Sequence, residues 1–331
     1  MPNTAPEPAP EPAPEPAPRL VHVVAGALAD EAGRILIARR PDGVHQGGRW
    51  EFPGGKLEPD EGAEQALARE LAEELGIRVQ ASRPLIRVCH DYGDRLILLE
   101  VRRVTAYAGV PVGREGQPLD WVHPEAMDPA RFPAADRPII TALRLPSRYL
   151  ITGADPTDPV RFVAQLEQAL AGGIRLVQLR AHGLDESAYA RLAARCLACC
   201  QARAARLLLN RTPAAAARLP GVGLHLTAAR LRALTARPAG LPLVGASCHD
   251  AAELARAVAL GLDYALLSPV AATASHLDTP VLGWPGFAAL AEPLPLPVYA
   301  LGGLGPADLK LAWQHGAQGI AAISALWPPA P

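Results

Sequence analysis

Residues Gly55–Ile77 read GKLEPDEGAEQALARELAEELGI. A glycine turn, Pro53-Gly54-Gly55, leads into the stretch and Gly76 closes it, so the pattern predicts a helix between them. At about 100° per residue, Glu70, Glu73 and Glu74 share one face of that helix, with Arg69 beside them. Like charges at this spacing repel by roughly a few tenths of a kcal/mol per exposed pair. A hard divalent cation removes that repulsion, and Mg²⁺ takes carboxylate and phosphate oxygens together. Glu70, Glu73 and Glu74 are therefore the candidate catalytic and metal-binding residues. Gly55 joins them, because without a Cβ its carbonyl can approach a metal closely. Taken alone, E-x-x-E-E is also what a solvated acidic helix face presents.

The whole string separates the two readings. Gly55, Glu61 and the run Arg69-Glu70-Leu71-Ala72-Glu73-Glu74-Leu75-Gly76-Ile77 keep the register of the Nudix box. This part of the chain resembles the Nudix hydrolases, which cleave nucleoside diphosphates linked to another moiety with Mg²⁺ or Mn²⁺. The resemblance implies an α/β/α sandwich. Arg69 is expected to pair with Glu61 and fix the loop on the helix; a plain surface arginine is the alternative.

Further pieces extend the likeness to the MutT branch, which removes 8-oxo-dGTP from the nucleotide pool. They are Ala38-Arg39-Arg40, Trp50 to Lys56, Asp94-Arg95, Arg114 to Pro118 and Phe132-Pro133-Ala134-Ala135-Asp136. By that resemblance Glu115 is a further carboxylate at the metal, Arg40 and Lys56 contact phosphates, and Arg95 lies by the base. Read without it, Glu115 is an ordinary loop glutamate. The family has Asn where this chain has Asp136. An amide donates and accepts, so it can read O6 and the N7–H that oxidation creates on guanine. An ionised carboxylate only accepts, whereas a protonated one in a dry pocket regains a donor.

Composition bounds the remainder. The chain has 331 residues, enough for two domains, and half of them are hydrophobic. No apolar run reaches the roughly 18 residues of a membrane span. The net charge of −1 supplies no basic field for stable nucleic-acid binding. Cys196, Cys199 and Cys200 fall at i, i+3, i+4 in an Ala-rich helix expected over 189–207, the spacing of a buried stripe. Five cysteines without a framework fit a reduced, cytoplasmic setting. Residues 1–18 repeat Glu-Pro-Ala-Pro and are expected to form a disordered tail, with a first domain over 19–146 and a second over 147–331.

In the first domain, strands are expected over 19–29, 34–38, 79–88, 95–104 and 119–122, with a closing helix over 138–145. From Tyr149 the pattern changes to short apolar strands alternating with Ala-rich helices. The strands fall at Tyr149 to Thr152, Leu176 to Arg180, Leu207 to Asn210, Gly223 to Leu226, Leu243 to Ala246, Tyr264 to Ser268, Val298 to Leu301 and Gly319 to Ile323. Eight strands with intervening helices read as a (β/α)₈ TIM barrel, whose functional residues sit at strand C-terminal ends. The helix after the second strand is expected over 186–205.

Tyr149 to Thr152, Val177-Gln178-Leu179-Arg180, Gly223 to Leu226, Gly245 to His249, Ser268-Pro269-Val270, Gly302-Gly303 and Gly319 to Ser324 together resemble thiamine phosphate synthase and its thiazole tautomerase relative. The resemblance implies a phosphorylated thiazole or pyrimidine ligand. Gln178, Arg180 and backbone amides near Gly302, Gly303, Ile323 and Ser324 are the expected phosphate-binding groups; plain loop turns are the alternative for the glycines. The synthase pattern puts Mg²⁺ ligands after the strand-end Asn and after the His-Leu strand. Here Asn210 precedes Arg211-Thr212, and His225-Leu226 precedes Thr227 to Arg230, so both carboxylates are missing. His182 and His276 replace two lysines that would clamp pyrophosphate. No synthase activity is expected. His249 stands where the tautomerase keeps an acid–base histidine, with a solvated loop histidine as the alternative.

The expected activity is Mg²⁺-dependent hydrolysis of 8-oxo-dGTP to the monophosphate and pyrophosphate, as nucleotide-pool sanitation in DNA replication and repair. The alternatives are clearance of damaged thiamine or pyrimidine diphosphates, and a hydrolase regulated by a ligand-sensing barrel.

Overall fold

A computed structural model describes residues 19–44, 46–93, 95–153, 156, 158–272, 280–292 and 294–329. The tail over 1–18, Asp94 and His276 lie outside the described residues.

The first unit contains β1 (Arg19–Leu28), β2 (Ile35–Arg39), β3 (Trp50–Glu51), β4 (Gly54–Lys56), α1 (Ala63–Leu75), β5 (Arg78–Asp91), β6 (Arg95–Ala108), β7 (Leu119–Val122) and α2 (Arg137–Arg144). One sheet runs β4-β1-β6-β5 and a second runs β3-β2-β7. β1 lies parallel to β6 and antiparallel to β4. Alternation along β1 divides the core. Val24 and Leu28 pack with Leu67, Leu71 and Leu75 of α1. Ala25 and Ala27 pack with Ile139, Ile140 and Leu143 of α2. The sheets are therefore sandwiched between helices, as the Nudix likeness implies.

Leu67, Leu71 and Leu75 recur every fourth residue and bury one face of α1. The carboxylates are left on the other face. Gly76 ends the helix at φ 70°, a left-handed conformation that glycine adopts without strain.

The second unit holds β8 (Arg148–Ile151), β9 (Leu176–Leu179), β10 (Arg206–Leu209), β11 (Gly223–Leu226), β12 (Val244–Cys248), β13 (Tyr264–Leu267), β14 (Val298–Leu301) and β15 (Gly319–Ala322). These eight close into a parallel barrel, β15 pairing back to β8. Between them run α3 (Pro159–Ala171), α4 (Glu186–Gln201), α5 (Pro213–Ala217), α6 (Ala228–Ala233), α7 (Ala251–Ala259), α8 (Gly283–Ala291) and α9 (Leu309–Gln314). Tyr149, Tyr264 and Tyr299 fill the barrel interior, their ring centroids 5.4–5.9 Å apart. Alternate residues such as Ala265 and Leu267 face the helices.

Helix α4 ends at Gln201, earlier than the expected 205 and 207. Ala204 takes a positive φ of 48°, and the chain turns there into β10. Cys196 and Cys200 are buried, and the thiol of half-buried Cys199 faces Glu167 at 3.5 Å. Where the units meet, the Gln318 amide donates to the carbonyls of Ala142 and Leu145, at 2.9 and 2.8 Å. Among the described residues no helix is long and apolar enough to cross a membrane.

Candidate active site

Two short strands bring the carboxylate helix to the glycine turn. β4 pairs Gly55 with Val24, and α1 crosses behind it. A Cβ on Gly55 would sit 2.2–2.3 Å from the Glu70 carboxylate, and one on Gly54 would sit 2.1 Å from the Val24 carbonyl. Only glycine lets strand, turn and carboxylate approach this closely. The Gly54 amide donates to Glu74 at 3.1 Å.

Arg69 ties the loop to the helix. Its Nε and Nη2 donate to the two Glu61 oxygens at 3.1 and 2.9 Å, and Nη2 also reaches the Lys56 carbonyl at 3.1 Å. Its Nη1 donates to Glu70 at 2.9 Å and reaches Glu73 at 3.5 Å. Glu73 keeps 60% of its side chain exposed, so the three box glutamates occupy different environments.

Glu74 is the most perturbed of them. Burial pushes its carboxyl up to about 8, the Gly54 amide opposes this, and the charges of Glu115, Glu51 and Glu70 push it further up. Four carboxylates from three parts of the chain, the helix α1, the strand β3 and the loop before β7, thus bear on one another. This crowding is the fit of the site to a divalent cation, which neutralises such a group better than protons do at pH 7. Among the described residues no three acidic, His or Cys side chains are already drawn to ligating distance. Glu70 and Glu73 are turned onto Arg69 instead.

Glu51 is the residue that sequence reasoning passed over. It lies on β3 opposite Ala38 and pairs with Arg40 through its carboxylate. Burial holds its carboxyl above the ordinary carboxylate range, and the Arg40 guanidinium opposes that rise. It joins the carboxylate cluster to a second pocket. There Asp136 is 7% exposed, and burial pushes its carboxyl up to about 8, with Glu51 adding to the shift and Arg40 opposing it. Tyr92 faces the same Asp136 and Arg40. Phe52 and Phe132 stack at 5.8 Å beneath, and Arg49 holds the Phe132 carbonyl at 3.0 Å. The pocket offers aromatic faces, a neutral acid and a guanidinium, groups that suit a heteroaromatic base.

Three other expected residues are less engaged. Glu115 is exposed in its loop, and its amide donates to the Gln117 side chain at 2.9 Å. Lys56 is exposed at the end of β4. Arg95 opens β6 and its carbonyl accepts from the Tyr92 amide at 3.0 Å.

At the C-terminal end of the barrel, Gln178 is buried and its amide is already used. It donates to the Tyr149 hydroxyl at 3.1 Å and accepts from Asn210 at 3.3 Å. His225 touches Tyr264 and Ser247 at 2.9 and 2.8 Å, and burial pushes its imidazole down to about 3, so it is neutral. Arg180 is exposed and reaches His182 at 3.2 Å. Gly302 and Gly303 have φ of 113° and 66°. Gly303 and Ser324 have amides without a backbone hydrogen bond among the described residues. The Ile323 carbonyl accepts from Leu326 and Trp327. The His249 ring nitrogen Nδ1 lies 2.9 Å from the Ser268 carbonyl, which fixes its orientation.

The model of the NUDIX domain matches residues 24–142, and that of thiamine monophosphate synthase matches residues 148–326. The 8-oxo-dGTP diphosphatase of Proteus vulgaris is 46% identical over 96 residues, 29% of this chain and 86% of that protein. The CTP pyrophosphohydrolase of Escherichia coli K12 is 39% identical over 124 residues, 38% of this chain and 91% of that protein. The thiamine-phosphate synthase of Herpetosiphon aurantiacus is 35% identical over 170 residues, 51% of this chain and 81% of that protein.

Proposed function

Because the chain belongs to the Nudix hydrolases through its first unit and to the thiamine monophosphate synthase family through its second, we propose that it hydrolyses 8-oxo-dGTP to the monophosphate and pyrophosphate and so keeps oxidised guanine out of DNA. The first unit is a pyrophosphohydrolase that takes a nucleotide substrate. The convergence of Glu51, Glu70, Glu74 and Glu115 on the Gly54-Gly55 turn carries the reading.

Nudix hydrolases use a divalent metal; Mg²⁺ held by Glu70, Glu73, Glu74, Glu115 and the Gly55 carbonyl would neutralise charge on the phosphates and acidify a bound water. The chain's own groups do the positioning. Arg69 locks helix to turn, and the Gly54 amide orients Glu74. Lys56 and Arg40 supply positive charge for the phosphate chain. Water adds to phosphorus, the α–β phosphoanhydride bond breaks and pyrophosphate leaves. Tyr92, Asp136, Phe52 and Phe132 receive the base, with Arg95 at its edge. We take the domain limits to be 19–146 and 147–331.

In the barrel, Arg211 and Arg230 stand where the synthase pattern has carboxylates, which supports a unit without synthase activity. Gln178, Arg180 and the amides at Gly302, Gly303, Ile323 and Ser324 would hold a phosphorylated thiazole or pyrimidine. The fusion itself favours a second reading, clearance of damaged thiamine or pyrimidine diphosphates. A panel of 8-oxo-dGTP, dGTP, CTP and thiamine diphosphate with Mg²⁺ decides between them. The expected result is the highest kcat/KM for 8-oxo-dGTP; a preference for the thiamine compound would replace the first reading with the second.

Gly55→Ala tests the turn. Its methyl displaces the mobile end of Glu70 rather than backbone. We expect kcat/KM to fall by about 10²-fold, in the range for a misplaced electrostatic group, while the melting temperature changes by a few degrees at most.

A further inference from the structure

A row of alternating charges crosses the seam between the two units, and the hydrolytic site makes no use of it. The sheet β4-β1-β6-β5 ends on β5, and residues of α8 and α9 of the barrel stand against that edge. Glu292, the residue after α8, pairs with Arg87 of β5. Arg87 Nε and Nη2 donate to one oxygen of Glu100, its cross-strand partner on β6, at 3.0 and 2.8 Å. The other Glu100 oxygen accepts from Arg102 Nη1 at 3.4 Å. Arg102 Nε donates to Ser82 Oγ at 3.0 Å, and its Nη2 pairs with Glu64 in the first turn of α1. The signs alternate without a break from barrel helix α8 to the helix that carries Glu70, Glu73 and Glu74.

Stability does not account for this row. Glu100 and Arg102 are 4% and 6% exposed, and the cost of desolvating such ions can exceed what their attraction returns. Apolar side chains at the same two positions would pack the seam at no greater cost. Instead a cavity of about 200 Å³ lies there, with Arg87, Glu100, Arg102, Glu292 and Gln318 among its lining. A buried ion pair holds its partners in one register, because any other alignment leaves a buried charge unpaired. The register held here is that of α1. Its N-cap is Gly62, which has no side chain to bond the first-turn amides. Gln65 accepts from the Gly62 amide at 3.1 Å, a bond within the same turn, whereas Glu64 ties the turn to the sheet through Arg102. Glu70 follows Glu64 by six residues, about 9 Å along a rigid helix, so an anchor at Glu64 sets the tilt and rotation of the carboxylates.

We propose that Arg102 and Arg87 are positioning residues for nucleotide hydrolysis: they act through Glu64 on the catalytic helix and extend its support to Glu292, which makes the barrel a working part of the hydrolase. The proposal rests on the hydrolase reading of the first unit and adds a role for the second that needs no ligand in the barrel.

Hydrogen exchange and kinetics of the full chain test it together. The probes are Glu292→Gln and Arg87→Met, at the seam and outside the metal and nucleotide sites. Neither side chain bonds α1 among the described residues. In both variants, amides of the first two turns of α1 should exchange about threefold faster, the scale of one ion pair lost. The kcat should fall by about three- to tenfold with KM unchanged, since a small misplacement of the carboxylates acts on the chemical step. Arg87→Lys keeps the charge but reaches one carboxylate instead of two, and should recover part of the loss. Melting temperature is read alongside, because a merely structural pair would lower it and leave kcat alone. Native exchange over α1 in both variants, or faster exchange there with kcat unchanged, would overturn the proposal. Exchange is read without substrate, so failure of the relay shows in α1 whatever nucleotide is turned over, whereas failure of the hydrolase reading shows as a native chain without turnover.

Discussion

Glu74→Gln is expected to lower kcat for nucleotide hydrolysis by about 10³-fold or more, the scale of removing one preorganised charged group from a reacting site. In metal-free buffer at pH 8 the same variant should melt at a higher temperature than the native protein. The two effects have one origin. Glu74 accepts the Gly54 amide while Glu115, Glu51 and Glu70 press on it, and burial raises its carboxyl to about 8 against an ordinary value of 4.5. Between those values the folded chain holds a proton that the unfolded chain has released, so stability falls as pH rises from about 4.5 to 8. Glutamine cannot ionise and removes that penalty. Adding Mg²⁺ should stabilise the native protein and leave the variant unmoved. Glu73→Gln is the contrast: its side chain is 60% exposed with one long contact to Arg69, and only a tenfold loss, about 1.4 kcal/mol, is expected. Equal losses in the two variants, or a Glu74→Gln protein that melts lower in chelator, would remove the carboxylate cluster as the source of catalysis.

This difference between Glu73 and Glu74 marks where sequence stops being enough. The helical repeat places both on one face of α1, and the leucines at 67, 71 and 75 make that face certain. What tells them apart is the turn at Gly54, brought in by β4, a strand of three residues. β3 and β4 are too short to show a period, and they exist because Ala38 and Val24 offer paired edges. Glu51 is hidden for the same reason: a single glutamate between two aromatics becomes a site residue only when β3 delivers it to Arg40 and Asp136. The barrel was more legible, since each of its strands is a short apolar run and eight such runs close on each other. Its strand ends shift by one or two residues, and the largest misjudged boundary, the end of α4, has no glycine or proline to announce it. Ala204 makes the left-handed turn instead, a conformation that alanine rarely takes and that tertiary packing imposes.

Asp136 gives the second large effect, a substrate preference that changes with pH. The residue is 7% exposed, and burial together with the Glu51 charge raises its carboxyl to about 8 in spite of Arg40. At pH 7 the acid form therefore predominates by roughly tenfold. A carboxylic acid, like an amide, donates from one atom and accepts at another, so it can read O6 and N7–H of an oxidised guanine as the family's asparagine would. Once ionised it loses the donor and leaves the base oxygen facing a like charge. The expected result is that kcat/KM for 8-oxo-dGTP relative to dGTP holds constant from pH 6 to 7 and then falls by about 10–100-fold as pH passes through 8, the cost of one buried hydrogen bond left unmade. Asp136→Asn should keep its discrimination flat across that range, and any titration of the base itself would appear equally in both proteins, so the variant serves as its control. Tyr92, Arg40, Arg49 and Glu51 are the other ionisable groups bearing on the pocket, and all four are retained in the variant. The amide does not ionise, so Asp136→Asn should lack the loss of stability that the native carboxyl brings as pH rises from about 4 to 8. A native protein whose preference stays level to pH 9, or an Asp136→Asn protein whose preference falls with it, would show that another group reads the oxidised edge.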